Sequence, residues 1–202
     1  MNSTKGVCRL YLAAVDGTFK LSYASACWEE FCLTMRVLAI DASLRNTGVA
    51  IVETNGGGKF HTLYYGVIHN AAAVPMSSCL VAIRDRLAEL IHAHEPDCCA
   101  LEAVIYVQSH KTAITLGAAR GSAIMAAAER GLPVFEYAPK RIKQATVGKG
   151  SADKGQVAFM VRALLGLLET PDADEADALA IGLTHLRAQE AARLGLPGGS
   201  QI

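Results

Sequence analysis

With 202 residues, 51% of them hydrophobic and 19% charged, the chain is long enough for one α/β domain with a buried core, too short for two of ordinary size, and not disordered in composition. Lys plus Arg and Asp plus Glu each number 19, so the net charge is zero and any contact with a polyanion must come from a local basic patch. The six cysteines show no C-x-x-C pair and no disulfide-framework or zinc spacing, and no uncharged stretch reaches the roughly 18 to 20 residues of a membrane span; the chain is expected to be a cytoplasmic protein with reduced thiols and no membrane partner.

Residues 1–34 mix short apolar pieces with scattered charges and have no sustained period, so they are expected to be an N-terminal extension outside the native domain. A secretory signal is weighed against this, because Lys5 precedes LYLAAV and Ala24-Ser25-Ala26 resembles a cleavage site, but Asp16 interrupts the apolar run. The domain is expected over 35–188. Its first segments, 37–41 (VLAID), 47–54 (TGVAIVET) and 60–68, predict three strands of an antiparallel meander, with NGGG at 55–58 as a turn. Ser77 is the expected cap of a helix running to residue 94, with Leu80, Ile83, Leu87, Leu90 and Ile91 on one face and Pro96 beyond its end. Residues 98–104 (CCALEAV) follow as a buried strand, and the strand–helix–strand order predicts parallel pairing with the first strand. An Ala-rich helix over 111–130 stops at Gly131, and 133–137 (PVFEY) predicts a fifth strand. Two further helices are expected, over 154–168 and from about 172 past His185, before a flexible Ala-, Gly- and Arg-rich tail at 189–202. The expected fold is therefore α/β, a five-stranded mixed sheet of three antiparallel and two parallel strands flanked by helices.

Two carboxylates stand in apolar surroundings that should be buried, Asp41 at the end of the first strand and Glu102 in the fourth, where an unpaired charge is costly. If those strands are neighbours, the two acids lie side by side and either share a proton or hold a cation. A third element is the helix DADEADALAIGLTH, in which Asp174 and Asp177 are three apart and share a face. Spacing alone does not choose them over Asp172 and Glu175, and acids in a first helical turn also complement the helix dipole without any chemistry. Alone, Asp41 reads equally as a strand-end turn former and Glu102 as half of a buried salt bridge. Together, all-oxygen ligands favour Mg²⁺, with Mn²⁺ as the alternative, and four of them suit two-metal phosphodiester hydrolysis. Lys140, Arg141, Lys143, Lys149 and Lys154 fall in one stretch whose only acid is Asp153; this is a candidate DNA-binding patch, and equally a solvated basic loop.

The stretches VLAIDASLRNTGVAIV, ALEAV, LGAARG, PVFEYAPKRIKQATVGKGSADKGQV and ADEADALAIGLTH resemble, in order and at similar spacing, those of the crossover junction endodeoxyribonuclease RuvC family, over residues 35 to about 185. The resemblance implies a ribonuclease-H-like fold, a homodimer, and Mg²⁺-dependent symmetric nicking of Holliday junctions, leaving ligatable 5′-phosphate ends. It implies that Asp41, Glu102, Asp174 and Asp177 are the catalytic, metal-holding acids for two ions and that Lys143 and Lys154 are functional lysines. It further implies the branch-migration complex RuvA–RuvB as a partner. Arg120 and Gly121 match an Arg-Gly pair that serves helix packing or backbone contact. Two departures stand out. Ala42-Ser43 replaces the family's usual Pro-Gly after the first acid, and Ile105 replaces an aromatic after the strand Glu. Tyr106, next in the chain, is the candidate to stack on an unpaired base, although a one-residue shift turns a strand side chain to the other face. Two other readings are a related nuclease for structured RNA and a non-cutting junction-binding protein. A sugar kinase or actin-like ATPase needs a second domain that this length excludes.

Overall fold

The structure is a computed structural model and describes residues 34–55, 58–105, 109–193, 195 and 200–202. The expected extension and secretory signal, apart from Thr34, and the role expected of Tyr106 lie outside the described residues. In chain order the elements are β1 (Met35–Asp41), β2 (Asn46–Thr54), β3 (Phe60–His69), α1 (Met76–His94), β4 (Cys98–Glu102), α2 (His110–Ala128), β5 (Val134–Tyr137), α3 (Pro139–Val147), α4 (Lys154–Leu165), α5 (Ala173–Arg193) and β6 (Ser200–Gln201).

One mixed sheet has the order β3-β2-β1-β4-β5-β6. β1, β2 and β3 pair antiparallel, as the meander predicts, and β4 lies parallel to both β1 and β5. The sheet has six strands rather than the expected five, because Ser200 and Gln201 pair antiparallel with Glu136 and Phe135. A two-residue strand has no alternation to announce it. α5 also continues to Arg193, so the described part of 189–202 carries helix and strand.

Two other elements differ from expectation. α1 begins at Met76 with Pro75, not Ser77, at the cap position; the fixed φ of Pro75, −58°, leads directly into the helix. α3 was not expected at all. It carries Pro at its first turn and ends at Gly148, whose φ of 81° is the left-handed stop that glycine adopts freely.

Strand alternation divides the core in two. Val37, Ala39, Ala50, Val52, Cys98, Ala100 and Tyr137 face α3, α4 and α5. Leu38, Ile40, Val49, Ile51, Cys99, Leu101 and Val134 face α1 and α2. α5 is buried almost continuously from Ala176 to Leu186 and lies close against β1 and β2. Glycine makes that approach possible: a Cβ at Gly182 would meet Val52 Cγ2 at 2.9 Å, and one at Gly48 would meet the Asp174 carbonyl oxygen at 2.0 Å. Deep in this layer His185 joins three elements, since its Nε2 lies 3.1 Å from Cys98 Sγ and its Nδ1 lies 2.9 Å from the Tyr137 hydroxyl.

Candidate active site

The register of β1 and β4 pairs Ile40 with Leu101, so Asp41 and Glu102 are the next residues at adjacent strand ends. Two-residue periodicity places both on the α5 side of the sheet, in phase with Val37 and Ala39 on one strand and Cys98 and Ala100 on the other. Gly48 is the partner of Asp41 on β2 and is also the point at which the first turn of α5 touches the sheet. The absent side chain at Gly48 therefore admits Asp174 and Asp177 to the same strand ends.

The electrostatics follow this arrangement. Asp41 is pushed up to about 7, first by burial, then by Asp177, Glu102 and Asp174, with Lys154 acting in the opposite direction. Glu102 is raised by burial and then by Asp177, while Lys154 and Lys143 oppose the rise. Lys154 donates a 2.8 Å hydrogen bond to Asp177 Oδ2, and this bond is the main reason its own pKa is raised. It is the first residue of α4, inside an Asp153–Gln156 capping box that fixes the turn from which its side chain extends. Asp41, Glu102, Leu116, Arg120 and Pro139 line a cavity of about 290 Å³ at the strand tips.

Among the described residues no three His, Cys, Asp or Glu side chains are drawn close enough to hold a single ion. The donor set nevertheless fits divalent cations. It consists of carboxylate oxygens alone, which suits hard ions, and the repulsion that Asp177, Glu102 and Asp174 exert on the Asp41 charge is one that a cation relieves. The Lys154 ammonium, bonded to Asp177, offsets part of that charge.

The basic residues do not all gather at the acids. Lys143 and Lys154 act on Glu102, whereas Arg141 stacks over the Tyr137 ring, 5.3 Å from its centroid, and the Lys140 side chain lies against Gly150. Lys149 follows Gly148 in the turn between α3 and α4. In the Ala42-Ser43 loop after Asp41, the Ser43 hydroxyl accepts from Asn46 N at 3.1 Å and donates to Asn46 O at 2.9 Å, so a side chain closes the loop. Ile105 is 69% exposed beside the cavity.

Sequence reasoning passed over two groups here. One is Gly48, for which its place directly after the loop, in RNTG, is a signal. The other is Glu136 on β5, the ion-pair partner of Arg120 on α2; a carboxylate inside PVFEY could have announced it.

Comparison with known proteins agrees with this geometry. A family model described as crossover junction endodeoxyribonuclease RuvC matches residues 37–185. The RuvC protein of Akkermansia muciniphila is 55% identical over 152 residues, covering 75% of this chain and 90% of that one. That of Halorhodospira halophila is 47% identical over 150 residues, covering 74% and 89%. A solved structure of T. thermophilus RuvC in complex with a Holliday junction substrate superposes with a TM-score of 0.76 at 35% identity, covering 83% of this chain and 99% of that one. With the strand-end acids, the order of the sheet and matches of this extent in agreement, the chain belongs to the crossover junction endodeoxyribonuclease RuvC family.

Proposed function

We propose that this protein is an endonuclease that resolves Holliday junctions in DNA recombination and repair, nicking opposed strands symmetrically in a Mg²⁺-dependent reaction. The observation that carries the reading is the meeting of Asp41, Glu102, Asp174, Asp177 and Lys154 at the ends of β1 and β4, from four separate elements of the chain. Asp41, Glu102, Asp174 and Asp177 would hold two divalent ions, Mg²⁺ or Mn²⁺. When bound, such a pair supplies an activated water and stabilises the departing oxygen of the phosphodiester.

The chain's own groups do the positioning. The carboxylates fix where the scissile phosphate can approach, and burial at the strand tips limits water around it. Lys154 and Lys143 offset charge that grows on the phosphate oxygens in the transition state, a task suited to a compact ammonium on a fixed helix turn. Lys140, Arg141 and Lys149 supply phosphate contacts further along the DNA, with a salt-dependent affinity. Tyr106 is the candidate to stack at the junction centre.

A homodimer supplies two such sites, one per opposed strand. Its support is a face of α2 on which Ile114 and Met125 are 67% and 47% exposed, while Gly117 and Gly121 between them have open space where a Cβ would stand. Family membership supports RuvA–RuvB as the partner machinery. A cytoplasmic location accords with the absence, among the described residues, of any helix long and apolar enough to cross a membrane. Residues 1–34 are dispensable in this reading, so their deletion leaves cutting intact.

The test is incubation of purified protein with a synthetic four-way junction and a linear duplex of the same sequence, with and without Mg²⁺. Paired nicks in the junction alone, only with Mg²⁺, are expected. Junction binding without cleavage would make the protein a non-cutting binder, and cleavage of structured RNA in preference to the junction would reassign the substrate.

A further inference from the structure

Glu102 is the last residue of β4, and strand ends are where backbone pairing runs out. On one side the β1 ladder stops a residue earlier, at Ile40 and Leu101. On the other, Glu102 still pairs with Tyr137, and Ala103 N donates to Tyr137 O at 2.9 Å. The Glu102 carbonyl is taken by a side chain: Arg120 Nη1 donates to it at 2.7 Å. The other guanidinium arm forms an ion pair with Glu136. Alternation puts Glu136 in phase with Val134, on the α1 and α2 side of the sheet, so Arg120 approaches from the face opposite to the one on which the Glu102 carboxylate stands.

That placement separates two ways an arginine can serve an acidic site. As a counterion Arg120 would face the Glu102 carboxylate, but its guanidinium meets Glu102 at the main-chain oxygen, from the other face of the sheet. Its own charge is directed to Glu136. Nor does packing alone account for it, since a side chain only 12% exposed would be an easier hydrocarbon than a guanidinium, and a buried ion pair adds little net stability. What arginine adds at this point is a charge-assisted donor on one backbone oxygen, held in direction by a fork that Glu136 fixes.

We propose that Arg120 is a positioning residue for Glu102: bridging α2, β4 and β5, it pins the carbonyl where the chain leaves the sheet and so fixes the carboxylate on the opposite face, with Glu136 orienting the guanidinium. The inference rests on Glu102 being a metal-holding acid in the proposed function. An outer contact of this kind acts through the ligand it orients, and its loss costs about 10- to 100-fold in metal affinity or rate.

The experiment compares wild type, Arg120→Gln, Arg120→Lys, Glu136→Gln and the double variant R120Q/E136Q in the full-length protein. Three quantities are read: Mn²⁺ affinity by titration calorimetry without DNA, junction affinity in EDTA, and single-turnover cutting in Mg²⁺. Arg120→Gln is expected to lower Mn²⁺ affinity and the cutting rate by about tenfold or more, with junction affinity unchanged. Arg120→Lys restores part of both, because an ammonium reaches the carbonyl or Glu136 but not both. Glu136→Gln gives a smaller loss in the same direction, and the double variant is no worse than Arg120→Gln.

Wild-type Mn²⁺ affinity and rate in a folded Arg120→Gln would overturn the proposal. So would a loss confined to junction affinity, which would make Arg120 a DNA contact. Should Arg120→Gln fail to fold, Arg120→Lys and Glu136→Gln decide: weaker Mn²⁺ binding with intact junction affinity upholds the proposal, and unaltered Mn²⁺ binding in both overturns it. If the wild-type protein itself does not cut junctions, the functional reading falls; if it cuts and the variants match it, only the role of Arg120 does.

Discussion

Asp41 stands where burial and three neighbouring carboxylates all disfavour its charge. Asp41→Asn is therefore expected to stabilise the metal-free protein, by about 1 to 2 kcal/mol after allowance for solvent screening, as a rise in the denaturant midpoint would show. The same change, or Glu102→Gln, is expected to lower junction cutting by about 10³-fold or more, the scale of losing a group that stabilises the transition state. Junction affinity in gel-shift assays should hold or improve, because a negative charge facing phosphates is gone. A variant that is more stable, binds as well and does not cut is the signature of a residue kept for chemistry rather than for folding. A wild-type rate in either variant would remove that acid from the reaction. These residues were legible in the sequence because a lone acid in an apolar strand is anomalous wherever it occurs. Arg120 was legible only as one half of an Arg-Gly pair, since its reach to a backbone oxygen on β4 has no local signature.

Helix α5 is the element on which the proposed site depends, because it carries two of the four proposed acids and is buried along most of its length. Gly48→Ala would place a methyl group against the Asp174 carbonyl, within 2.0 Å before relaxation, so the first turn of α5 must move. Overpacking of this kind costs about 1 to 3 kcal/mol. A displacement on the order of 1 Å at the acids is expected to reduce cutting by about 10²-fold. Urea denaturation and single-turnover rates check the two parts separately, and an active, fully stable Gly48→Ala would mean that the contact is not tight in solution.

At the other end of the buried run, His185 is held near 4 by burial, against 6.5 when unfolded. It is neutral in the folded protein at neutral pH, while the unfolded chain takes up a proton as pH falls below about 6.5. Its contribution is thus complete above pH 6.5 and is lost as pH falls to about 4, a change on the order of 3 kcal/mol. Asp41 works in the opposite direction, from about 7 down to 3.8, so the difference between wild type and His185→Gln is the quantity to follow by urea midpoint across that range. A difference that does not vary with pH would refute the assignment. The meander, the β4 crossover and α5 followed from periodicity and chain order. α3 was missed although Pro139 and Gly148 bracket it, because nine residues with three cations offer too short an apolar stripe to outweigh their charge.

For the whole molecule, paired nicking needs two sites held in fixed relation, and the α2 face with Gly117 and Gly121 is where a second copy is expected to close. Gly121→Glu tests this cleanly. The position has open space around it, so a single copy accommodates the side chain and gains up to about 1 kcal/mol from helix propensity. The dimer, by contrast, is expected to dissociate, as sedimentation or light scattering would show, and nicks should lose their pairing. A dimer of unchanged affinity would place the interface elsewhere. The sixth strand bears on the molecule's behaviour at high concentration. Ser200 and Gln201 cover part of the outer edge of β5 opposite Phe135 and Glu136, and Ile202 N donates to Val134 O at 3.0 Å. Trimming those last residues would bare a row of amide donors and acceptors beside an aromatic ring, the kind of open margin along which sheets from separate molecules stack into aggregates.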